Sequence, residues 1–448
     1  MLSRKRSTSA ESESRRTKPR LCSIDADNAS QAMPQTAVKL AYSTVLRMAG
    51  PISPVAFQQP SSLLTFSYSP SHELEFTDSA LRYYVHPPRN ADLRHGYDRW
   101  IRRPEERGRI DNLLRAVIRV RTNMDAQDLN GAGWLRDIGI VSWRGVMTKI
   151  MTAPYEERDS WELNVMMVDG TLYFEEHLTE NKLAEKNNVA PHHRMQMYYG
   201  YAFESYCTSS TPAPSKGTAA GTWGGDVNTN VQWCSVVKTK LGDTRIVIGG
   251  EVDCVRGHFT GNTDSFVELK TSLIIRGAQD EAHFEKKLLK FYFQSFLLGV
   301  PEIVVGFRTA AGRLSKVQSF RTMEIPRLVR NKPGAWDPLV CLDWGKRFIE
   351  LLKSTIVSRP STLGDPLPVW RVKFTPRSGV TISPLDKPGL DEVVNGEDRV
   401  GFLPQWYFDD IRSAERRSSE LHPSVNARSA GPNASPEKTS TLPPGWQI

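Results

Sequence analysis

Cysteine is scarce in this chain of 448 residues. The five cysteines are widely spaced, and none of them forms a CxxC pair; they are Cys22, Cys207, Cys234, Cys254 and Cys341. Disulfide-rich domains and structural zinc sites need closely spaced cysteines or cysteine–histidine sets. The sequence therefore predicts free thiols and excludes both of these classes.

Long apolar runs are also missing. No apolar stretch reaches the roughly 18 residues that a membrane-spanning helix needs, and the N-terminal residues are polar and basic. We expect no membrane segment and no secretory signal. Hydrophobic residues still make up 39% of the chain, which is ample for a sizeable core.

The net charge of the chain is +8. Such a balance fits a polyanionic partner such as nucleic acid, and it fits equally well a basic tail on a nearly neutral body. Residues 1–36 are rich in serine and charged residues and predict a disordered basic tail. Within it, Lys5-Arg6 and the basic run 15–20 resemble a two-part nuclear localisation signal, so we expect the protein in the nucleus.

Between the tails, helical and strand patterns are mixed. Residues 109–121, 191–207 and 280–298 have helical periodicity, and Asp169-Gly170 predicts a tight hairpin between two alternating runs. Strands and helices follow no regular alternation, which favours one compact mixed α+β (α/β) domain. We place this domain at residues 40–412, with a mobile Pro/Gly/Ser-rich loop at 208–226 and a disordered tail at 413–448.

Two short stretches combine alternating charges, Glu251-Val-Asp253 and Glu268-Leu-Lys270. Each is typical of a β-strand, in which residues two apart lie on the same face. If the two strands pair, three carboxylates and one ammonium meet, which is costly unless a cation lies among them. The pattern predicts a metal-dependent phosphodiester hydrolase, although such runs also occur on ordinary exposed strands.

The predicted metal is Mg²⁺ or Mn²⁺, because both prefer oxygen ligands. Glu251, Asp253 and Glu268 supply carboxylates, and the backbone carbonyl of Leu269 is a further candidate ligand. We expect Lys270 to orient or activate the attacking water, or to stabilise charge on the phosphate in the transition state.

Two helices add further candidates. Lys286, Lys290 and Gln294 are four residues apart and share one helix face, from which we expect Lys290 and Gln294 to reach the scissile phosphate or the attacking water. An ordinary polar helix face is the alternative. Glu204 lies among the aromatic residues of 198–206, where a carboxylate is costly without a cation or a hydrogen-bond partner. The aromatics themselves predict core packing rather than base stacking.

An ordered set of motifs resembles the DXO/RAI family of decapping nucleases. In chain order the matching stretches are VSWRGVMTKI (with Trp143-Arg144-Gly145), TAPYE, GYAFESY, VNTNVQWCSV, GGEVDC, VELKTS, KLLKFYFQSFLLGVPEIVVGFR and FLPQWY. The resemblance covers roughly residues 64–408. It implies two mixed β-sheets flanked by helices, with a PD-(D/E)XK-like nuclease core and a deep active-site pocket.

The resemblance also implies the reaction. Members are metal-dependent hydrolases of RNA 5′ ends that remove NAD caps, incomplete or unmethylated guanosine caps and the pyrophosphate of 5′-triphosphate RNA. Guanosine caps leave as the entire cap nucleotide, and the product is 5′-monophosphate RNA. The family further implies a nuclear branch bound to the nuclear 5′→3′ exoribonuclease, and a second branch that digests the RNA without a partner.

Family roles are implied for individual positions of this chain. The metal set is Glu204, Asp253, Glu268 and the Leu269 carbonyl, with Glu251 as a metal- or water-linked acid. Lys270 and Gln294 match positions that contact substrate or water, and Arg144 matches an arginine that contacts RNA phosphate. Cys234 matches a position lining the substrate pocket, for which a buried core cysteine is the alternative.

This chain departs from the animal members in two places. Gly108 stands where they carry an acidic pocket residue, and the segment 66–78 lacks an arginine that they carry. Contacts to a cap base are therefore not implied for this chain. Two other functions stay open, a non-catalytic cofactor of the exoribonuclease and a DNA repair nuclease with the same chemistry.

Overall fold

The computed structural model describes residues 38–41, 54–127, 131–212, 223–358 and 367–421. All of them fall in one compact unit. The predicted basic tail with its localisation signal, the middle of the predicted loop and the last part of the C-terminal tail lie outside the described residues. None of the helices in the described part is long and apolar enough to cross a membrane.

The strands of the described residues are, in chain order, β1 Val38–Ala41, β2 Ser61–Tyr68, β3 Leu74–Glu75, β4 Tyr83–Tyr84, β5 Ile140–Trp143, β6 Trp161–Val168, β7 Thr171–His177, β8 Thr208–Ser209, β9 Gln232–Leu241, β10 Thr244–Glu251, β11 Cys254–Val255, β12 Phe266–Leu273, β13 Glu302–Arg308, β14 Leu314–Arg321, β15 Trp370–Thr375, β16 Gly379–Pro384, β17 Arg399–Val400 and β18 Leu403–Pro404.

The α-helices of the described residues are α1 Asp111–Asp125, α2 Gly131–Arg136, α3 Arg144–Thr152, α4 Glu180–Asn187, α5 Pro191–Cys207, α6 Ala278–Leu298, α7 Ile325–Val329, α8 Pro338–Val357, α9 Lys387–Val394 and α10 Gln405–Leu421. Short 3₁₀ turns lie at Tyr97–Arg99, Ala153–Tyr155, Thr263–Ser265 and Thr322–Glu324.

Two mixed sheets carry the fold. The large sheet has ten strands in the order β1-β16-β15-β6-β7-β5-β10-β9-β2-β3, and the small sheet has six in the order β14-β13-β12-β11-β4-β8. β17 and β18 form a separate pair. Parallel neighbours occur in both sheets, β5 with β10 and β7 in the large one, and β12 with β13 in the small one. The predicted class, mixed α/β with two mixed sheets flanked by helices, is confirmed.

Local sequence explains the boundaries of the elements that were predicted. The β6–β7 hairpin turns at Asp169 and Gly170, and both have positive φ, as the favoured two-residue hairpin turn requires. Helix α6 ends at Gly299, which is left-handed, and the Val300 N–H then donates to the Ser295 carbonyl. Helix α5 begins with Pro191. Proline lacks an N–H, and this costs nothing at the first helical position because the N–H there has no acceptor within the helix.

Three layers of apolar side chains hold the sheets and helices together. One face of the large sheet packs on α3, α6 and α8, and α6 also covers one face of the small sheet. The second face of the large sheet packs on α1 and α10. The second face of the small sheet packs on α5. Helix α6 thus lies between the two sheets and joins their cores.

Three details of the expected layout differ in the structure. The strands containing Glu251 and Glu268 do not pair, because β10 belongs to the large sheet and β12 to the small one. The predicted loop 208–226 begins with β8, which pairs with β4, and near its end the Gly224 N–H donates to the Ser205 carbonyl. Helix α10 continues past residue 412 to Leu421, and its residues Tyr407, Phe408 and Ile411 pack in the second core layer.

Candidate active site

The acidic residues singled out in the sequence meet where the chain crosses from one sheet to the other. Glu251 is the last residue of β10 and lies opposite Cys234 in the large sheet. Three residues later Cys254 lies opposite Val267 in the small sheet. Asp253 lies on the two-residue link, outside both strands, because the backbone must leave one hydrogen-bond ladder before it enters the other.

Arg144 reaches the same place from the neighbouring parallel strand. Gly249 of β10 lies opposite Trp143, the last residue of β5, and helix α3 begins directly with Arg144. A Cβ atom on Gly250 would lie only 2.9 Å from the Cβ of Arg144. Glycine at position 250 therefore lets Arg144 lie against the end of β10. This is the carboxyl end of the parallel pair β5 and β10, where binding sites of parallel sheets commonly form.

Glu268 is the paired acid of the cluster. Its side chain is 1% exposed, so the alternative of an ordinary exposed strand is wrong for this residue. The Arg144 Nη1 donates to Glu268 Oε2 over 2.8 Å, and the Lys270 ammonium donates to Oε1 from the same strand face, as the period of two predicted. Burial raises the pKa of Glu268, but Arg144 and Lys270 outweigh it and lower this pKa to about 2.

The other three acids repel one another. Burial raises the pKa of Glu204 well above its usual range, and Asp253 and Glu251 raise it further. Burial and Glu268 raise the pKa of Asp253 to about 7. The pKa of Glu251 is raised by burial and Glu268 against the opposing effect of Arg144. Glu204 from α5 therefore belongs to the cluster, although it lies far from the other acids in sequence.

The charges of the cluster do not balance. Four carboxylates (Glu204, Glu251, Asp253, Glu268) face two cations, Arg144 and Lys270, so full ionisation leaves two negative charges in excess. A divalent cation supplies this charge, and carboxylate oxygens are the donors that Mg²⁺ and Mn²⁺ prefer. In charge and donor type, the residues present fit such an ion.

The side chains are not already arranged around an ion. Within the described ranges, no three acidic, histidine or cysteine side chains converge as bound-metal ligands do. Two of the acid oxygens that would serve have other partners: Asp253 Oδ2 accepts the Leu269 N–H over 2.6 Å, and Glu251 Oε2 accepts Gln232 Nε2 over 2.9 Å. Each of these oxygens accepts one hydrogen bond and keeps a second lone pair, so both carboxylates can still bind an ion.

Three of the residues predicted to contact substrate, Cys234, Gln294 and Arg144, have different surroundings in the structure. Cys234 is buried in an apolar layer beside Phe66, and burial raises the pKa of its thiol well above the usual range, which supports a core role. Gln294 lines a cavity of about 650 Å³ together with Gly145. Arg144, expected to meet RNA phosphate, instead donates to Glu268 here.

The lysines of α6 also have partners in the structure. Lys290 Nζ lies 2.9 Å from Glu156 Oε2, and Lys286 Nζ lies 3.6 Å from Glu157 Oε2. Lys290 lines the same cavity as Gln294, so the predicted helix face is real, but its second lysine pairs with Glu156 rather than with the acid cluster.

Comparison with known proteins identifies the family. The family model described as RAI1-like PD-(D/E)XK nuclease matches residues 58–408. The chain belongs to this family. Decapping nuclease RAI1 of Mycosarcoma maydis is 36% identical over 80% of this chain and 88% of its own length. The human decapping and exoribonuclease protein is 36% identical over 79% of this chain and 85% of its own.

Solved structures agree with this assignment. The Candida albicans Rai1 structure in complex with pU5-Mn²⁺ has a TM-score of 0.70 and 25% identity, covering 85% of this chain and 100% of that one. The Scheffersomyces stipitis Rai1 structure with (3′-NADP)⁺ and a calcium ion has a TM-score of 0.68 and 25% identity, covering 87% and 100%. The RAI1-like chain is a hydrolase that acts on RNA.

Two residues at the cluster were missed from the sequence. Gln232 donates to Glu251, and it precedes the singled-out Cys234 by two positions on the same strand face, so the period of two was the available signal. Tyr201 lies near Glu204 and Glu251. Its hydroxyl pKa is raised mainly by burial and further by the negative charges of these two acids. It was assigned to the core with its aromatic neighbours.

Proposed function

We propose that this chain removes abnormal 5′ ends from RNA for quality control. Its substrates are NAD-capped RNA, RNA with incomplete or unmethylated guanosine caps, and 5′-triphosphate RNA, and its product is 5′-monophosphate RNA. The observation that carries the proposal is the acid cluster, in which four carboxylates and two cations meet at the junction of the sheets. The relatives solved with pU5 and with (3′-NADP)⁺ support an RNA strand and a nicotinamide dinucleotide as ligands of this site.

The proposed cofactor is Mg²⁺ or Mn²⁺. Glu204, Glu251, Asp253, Glu268 and the Leu269 carbonyl would hold it, and when bound it supplies a nucleophilic water at neutral pH and neutralises charge on the phosphate. The relative from Candida albicans was solved with Mn²⁺, which supports this choice.

The chain's own residues supply the remaining electrostatics. Lys270 lies against Glu268 and keeps its charge, because Glu268 and Asp253 raise its pKa against the effect of burial. A fixed ammonium there orients water and stabilises developing negative charge on the phosphate. The Arg144 guanidinium offers a planar set of donors that match phosphate oxygens, while Gln294 offers an uncharged hydrogen-bonding group.

The proposed setting is the nucleus, with the nuclear 5′→3′ exoribonuclease as partner. The two-part basic cluster between Lys5 and Arg20 supports nuclear import. A partner that degrades 5′-monophosphate RNA would consume the product made here. Affinity purification of the tagged full chain from nuclear extract is expected to recover this exoribonuclease, and its absence under low salt would contradict the partnership.

A second candidate is a decapping enzyme that also digests the RNA without a partner. The name of the human relative, a decapping and exoribonuclease protein, supports this alternative. A non-catalytic cofactor is less well supported, because Glu204, Glu251, Asp253, Glu268 and Lys270 are all present.

One product analysis tests these functions together. RNAs of one sequence carrying NAD, an unmethylated cap, a triphosphate or a monophosphate, and a single-stranded DNA of the same sequence, are labelled internally. Each is incubated with purified protein and Mn²⁺. The proposal expects release of the 5′ group and a monophosphate product. Shortening to mononucleotides identifies the exonuclease alternative. Intact RNA throughout contradicts an enzyme, and cleavage of single-stranded DNA alone identifies a DNA nuclease.

A further inference from the structure

Two arginines are buried in the part of the chain that the structure describes, and their surroundings differ. Arg121 is 5% exposed and donates to both carboxylate oxygens of Asp410, over 2.5 and 2.7 Å. Arg308 is 8% exposed and has no carboxylate partner among the described residues. A buried cation is costly unless an anion compensates it. Arg308 is therefore a buried charge for which the described chain supplies no counter-charge.

Most of the hydrogen-bonding capacity of Arg308 is also unused. Its Nη1 donates to the Thr309 carbonyl over 3.2 Å, whereas the buried Nε has no acceptor within the described ranges. The guanidinium carbon lies 4.5 Å from the centre of the Tyr199 ring, which holds the planar group in place. An unpaired polar group in a protein interior is costly. The arrangement therefore favours a ligand with several acceptor oxygens.

A second cation without an acid lies beside Arg308. Lys287 of α6 is exposed, and partial desolvation together with the charge of Arg308 lowers its pKa. The preceding lysine on the same helix, Lys286, has a partner, since its Nζ lies 3.6 Å from Glu157 Oε2. Lys287 forms no ion pair with any residue that the structure describes. Two neighbouring positive charges without acids match a doubly charged anion.

The residues around Tyr199 add positive rather than negative charge. Arg94 and Arg313 share one acid, Asp92, over 2.8 and 3.3 Å. Arg94 also interacts electrostatically with Tyr199, so this group lies near the ring on which Arg308 stacks. One carboxylate cannot neutralise two guanidinium groups. The excess of positive charge at this end of the small sheet is therefore larger than Arg308 and its neighbouring lysine alone provide.

The cations lie where the small sheet opens to solvent. Arg308 is the last residue of β13 and lies opposite Leu273, the last residue of β12, which is 49% exposed. Lys270 of the acid cluster stands three residues earlier on β12. The exposed end of β12 thus gives an anion access to Arg308 from solvent, beyond the acid cluster.

We propose that Arg308 and Lys287 form a binding site for a phosphate dianion, either inorganic phosphate or the phosphomonoester of a small nucleotide. The guanidinium offers a planar pair of donors to two phosphate oxygens, and the Lys287 ammonium contacts the anion from the solvent side. The bound phosphate joins β13 to α6, and Tyr199 behind the guanidinium belongs to α5, the helix that carries Glu204. The site does not depend on the proposed hydrolase function.

Calorimetric titration of the full chain with sodium phosphate tests this site. The titration is made slightly above neutral pH and at constant ionic strength, with EDTA present so that no metal bridges phosphate to the acid cluster. Wild type is expected to bind phosphate saturably. Lys287→Gln and Arg308→Lys are expected to weaken binding about tenfold, the size of one hydrogen bond between charged groups. Arg308→Lys keeps the positive charge and loses the planar fork.

Lys286→Gln is the matched control. It removes an exposed lysine of the same helix that pairs with Glu157, and it is expected to bind phosphate like wild type. Absence of saturable binding by wild type, or equal binding by Lys287→Gln and wild type, would overturn the site. Because Lys287 is exposed, its substitution leaves the fold intact and keeps the test decisive even if Arg308→Lys does not fold.

Melting temperatures give a second measurement of the same site. A ligand that binds only the folded chain raises its melting temperature. Phosphate is therefore expected to raise the melting temperature of wild type and of Lys286→Gln by more than that of Lys287→Gln. Equal rises in all three proteins would reduce the effect to a general action of the salt and contradict the site.

Two further titrations identify the source of the phosphate and separate this site from an RNA path. Adenosine 5′-monophosphate that binds with the same loss in Lys287→Gln identifies a nucleotide phosphate, and binding of inorganic phosphate alone identifies the free anion; each outcome supports the site. Displacement of bound phosphate by a 5′-hydroxyl RNA of about ten nucleotides would assign the cations to an RNA strand and overturn the proposal. Hydrolysis of RNA by Lys287→Gln is expected to match wild type, so failure of this site is distinguishable from failure of the proposed hydrolase function.

Discussion

The acid cluster and the neighbouring cavity are both polar interiors, but they balance charge in different ways. In the cluster, Arg144 and Lys270 both contact Glu268. The pKa values of the other three acids, Glu204, Glu251 and Asp253, are raised. In the cavity, Lys149 and Lys290 each have a glutamate partner. An excess of negative charge at one point fits a small divalent cation, whereas the Lys–Glu pairs of the cavity wall leave no such excess.

The largest effect is expected from neutralising the unpaired acids. The double substitution Glu251→Gln/Asp253→Asn removes the charge excess, so RNA hydrolysis is expected to fall to background. Without metal, the free energy of unfolding at pH 7 is expected to stay equal or increase, because carboxylate repulsion is relieved. Urea unfolding in EDTA and a product assay with Mn²⁺ measure the two effects.

Glu302→Gln is the control for this substitution. Glu302 pairs with Arg256 and lies opposite Val267, on the face of the small sheet away from Glu268, so its loss is expected to leave hydrolysis unchanged. Retention of full activity by the double variant would show that the cluster is not the active site.

Removing Arg144, one of the two cations that contact Glu268, is expected to lower the free energy of unfolding. Arg144→Gln leaves the buried Glu268 with Lys270 alone, and removal of one partner of a buried pair typically costs about 3–5 kcal/mol of unfolding free energy. Arg245→Gln breaks an exposed pair with Asp137 and is expected to cost at most about 1 kcal/mol. Similar losses in both variants, measured by urea unfolding, would remove the distinction between buried and exposed pairs.

Glu175 shows what burial does to an acid without acidic neighbours. Burial raises its pKa to about 7 against the opposing effect of Arg109. The folded protein keeps a proton that the unfolded chain releases above the ordinary glutamate pKa of 4.5, so stability falls as pH rises from 4.5 to 7. This one group contributes roughly 3 kcal/mol over that window.

Glu175→Gln removes this contribution to the pH dependence. The unfolding free energy of wild type minus that of the variant is expected to fall between pH 4.5 and 7, because only wild type loses the bound proton. Urea unfolding at a series of pH values measures this difference. A constant difference across the window would mean that the pKa of Glu175 is not raised.

Cys234 gives the smallest expected effect. It lies opposite Glu251 but packs in an apolar layer, so Cys234→Ala is expected to change hydrolysis by less than about twofold and to cost about 1 kcal/mol of stability. A loss of activity without loss of stability, seen in parallel kinetic and melting measurements, would place the thiol in the chemistry.

The sequence predicted those parts of the site that depend on local periodicity. Glu268 and Lys270 share a face because side chains alternate along a strand, and Gly299 predicted the C-terminal end of α6. The helix begins at Ala278, two residues before the predicted start. The predicted hairpin is present because Asp169 and Gly170 adopt the positive φ values that a two-residue turn requires. The mixed two-sheet fold was implied by the motif set and is confirmed.

Other features depend on contacts that no local pattern encodes. The change of sheet between Glu251 and Cys254 takes only two residues and leaves no periodic signal. Lys149 and Glu176 lie on different elements, and their pairing depends on how α3 packs against β7. Charged residues are common on helix faces, so the cavity could not be recognised before the fold was known.

Manganese binding tests the central claim most directly, namely that the acid cluster holds a divalent cation. Wild type and the Glu251→Gln/Asp253→Asn variant are titrated with Mn²⁺ by calorimetry, and the melting temperature of each is measured with and without the ion. Saturable binding and a higher melting temperature are expected for wild type, with both absent in the variant. Equal binding by the two proteins, or no binding by wild type, would contradict the claim.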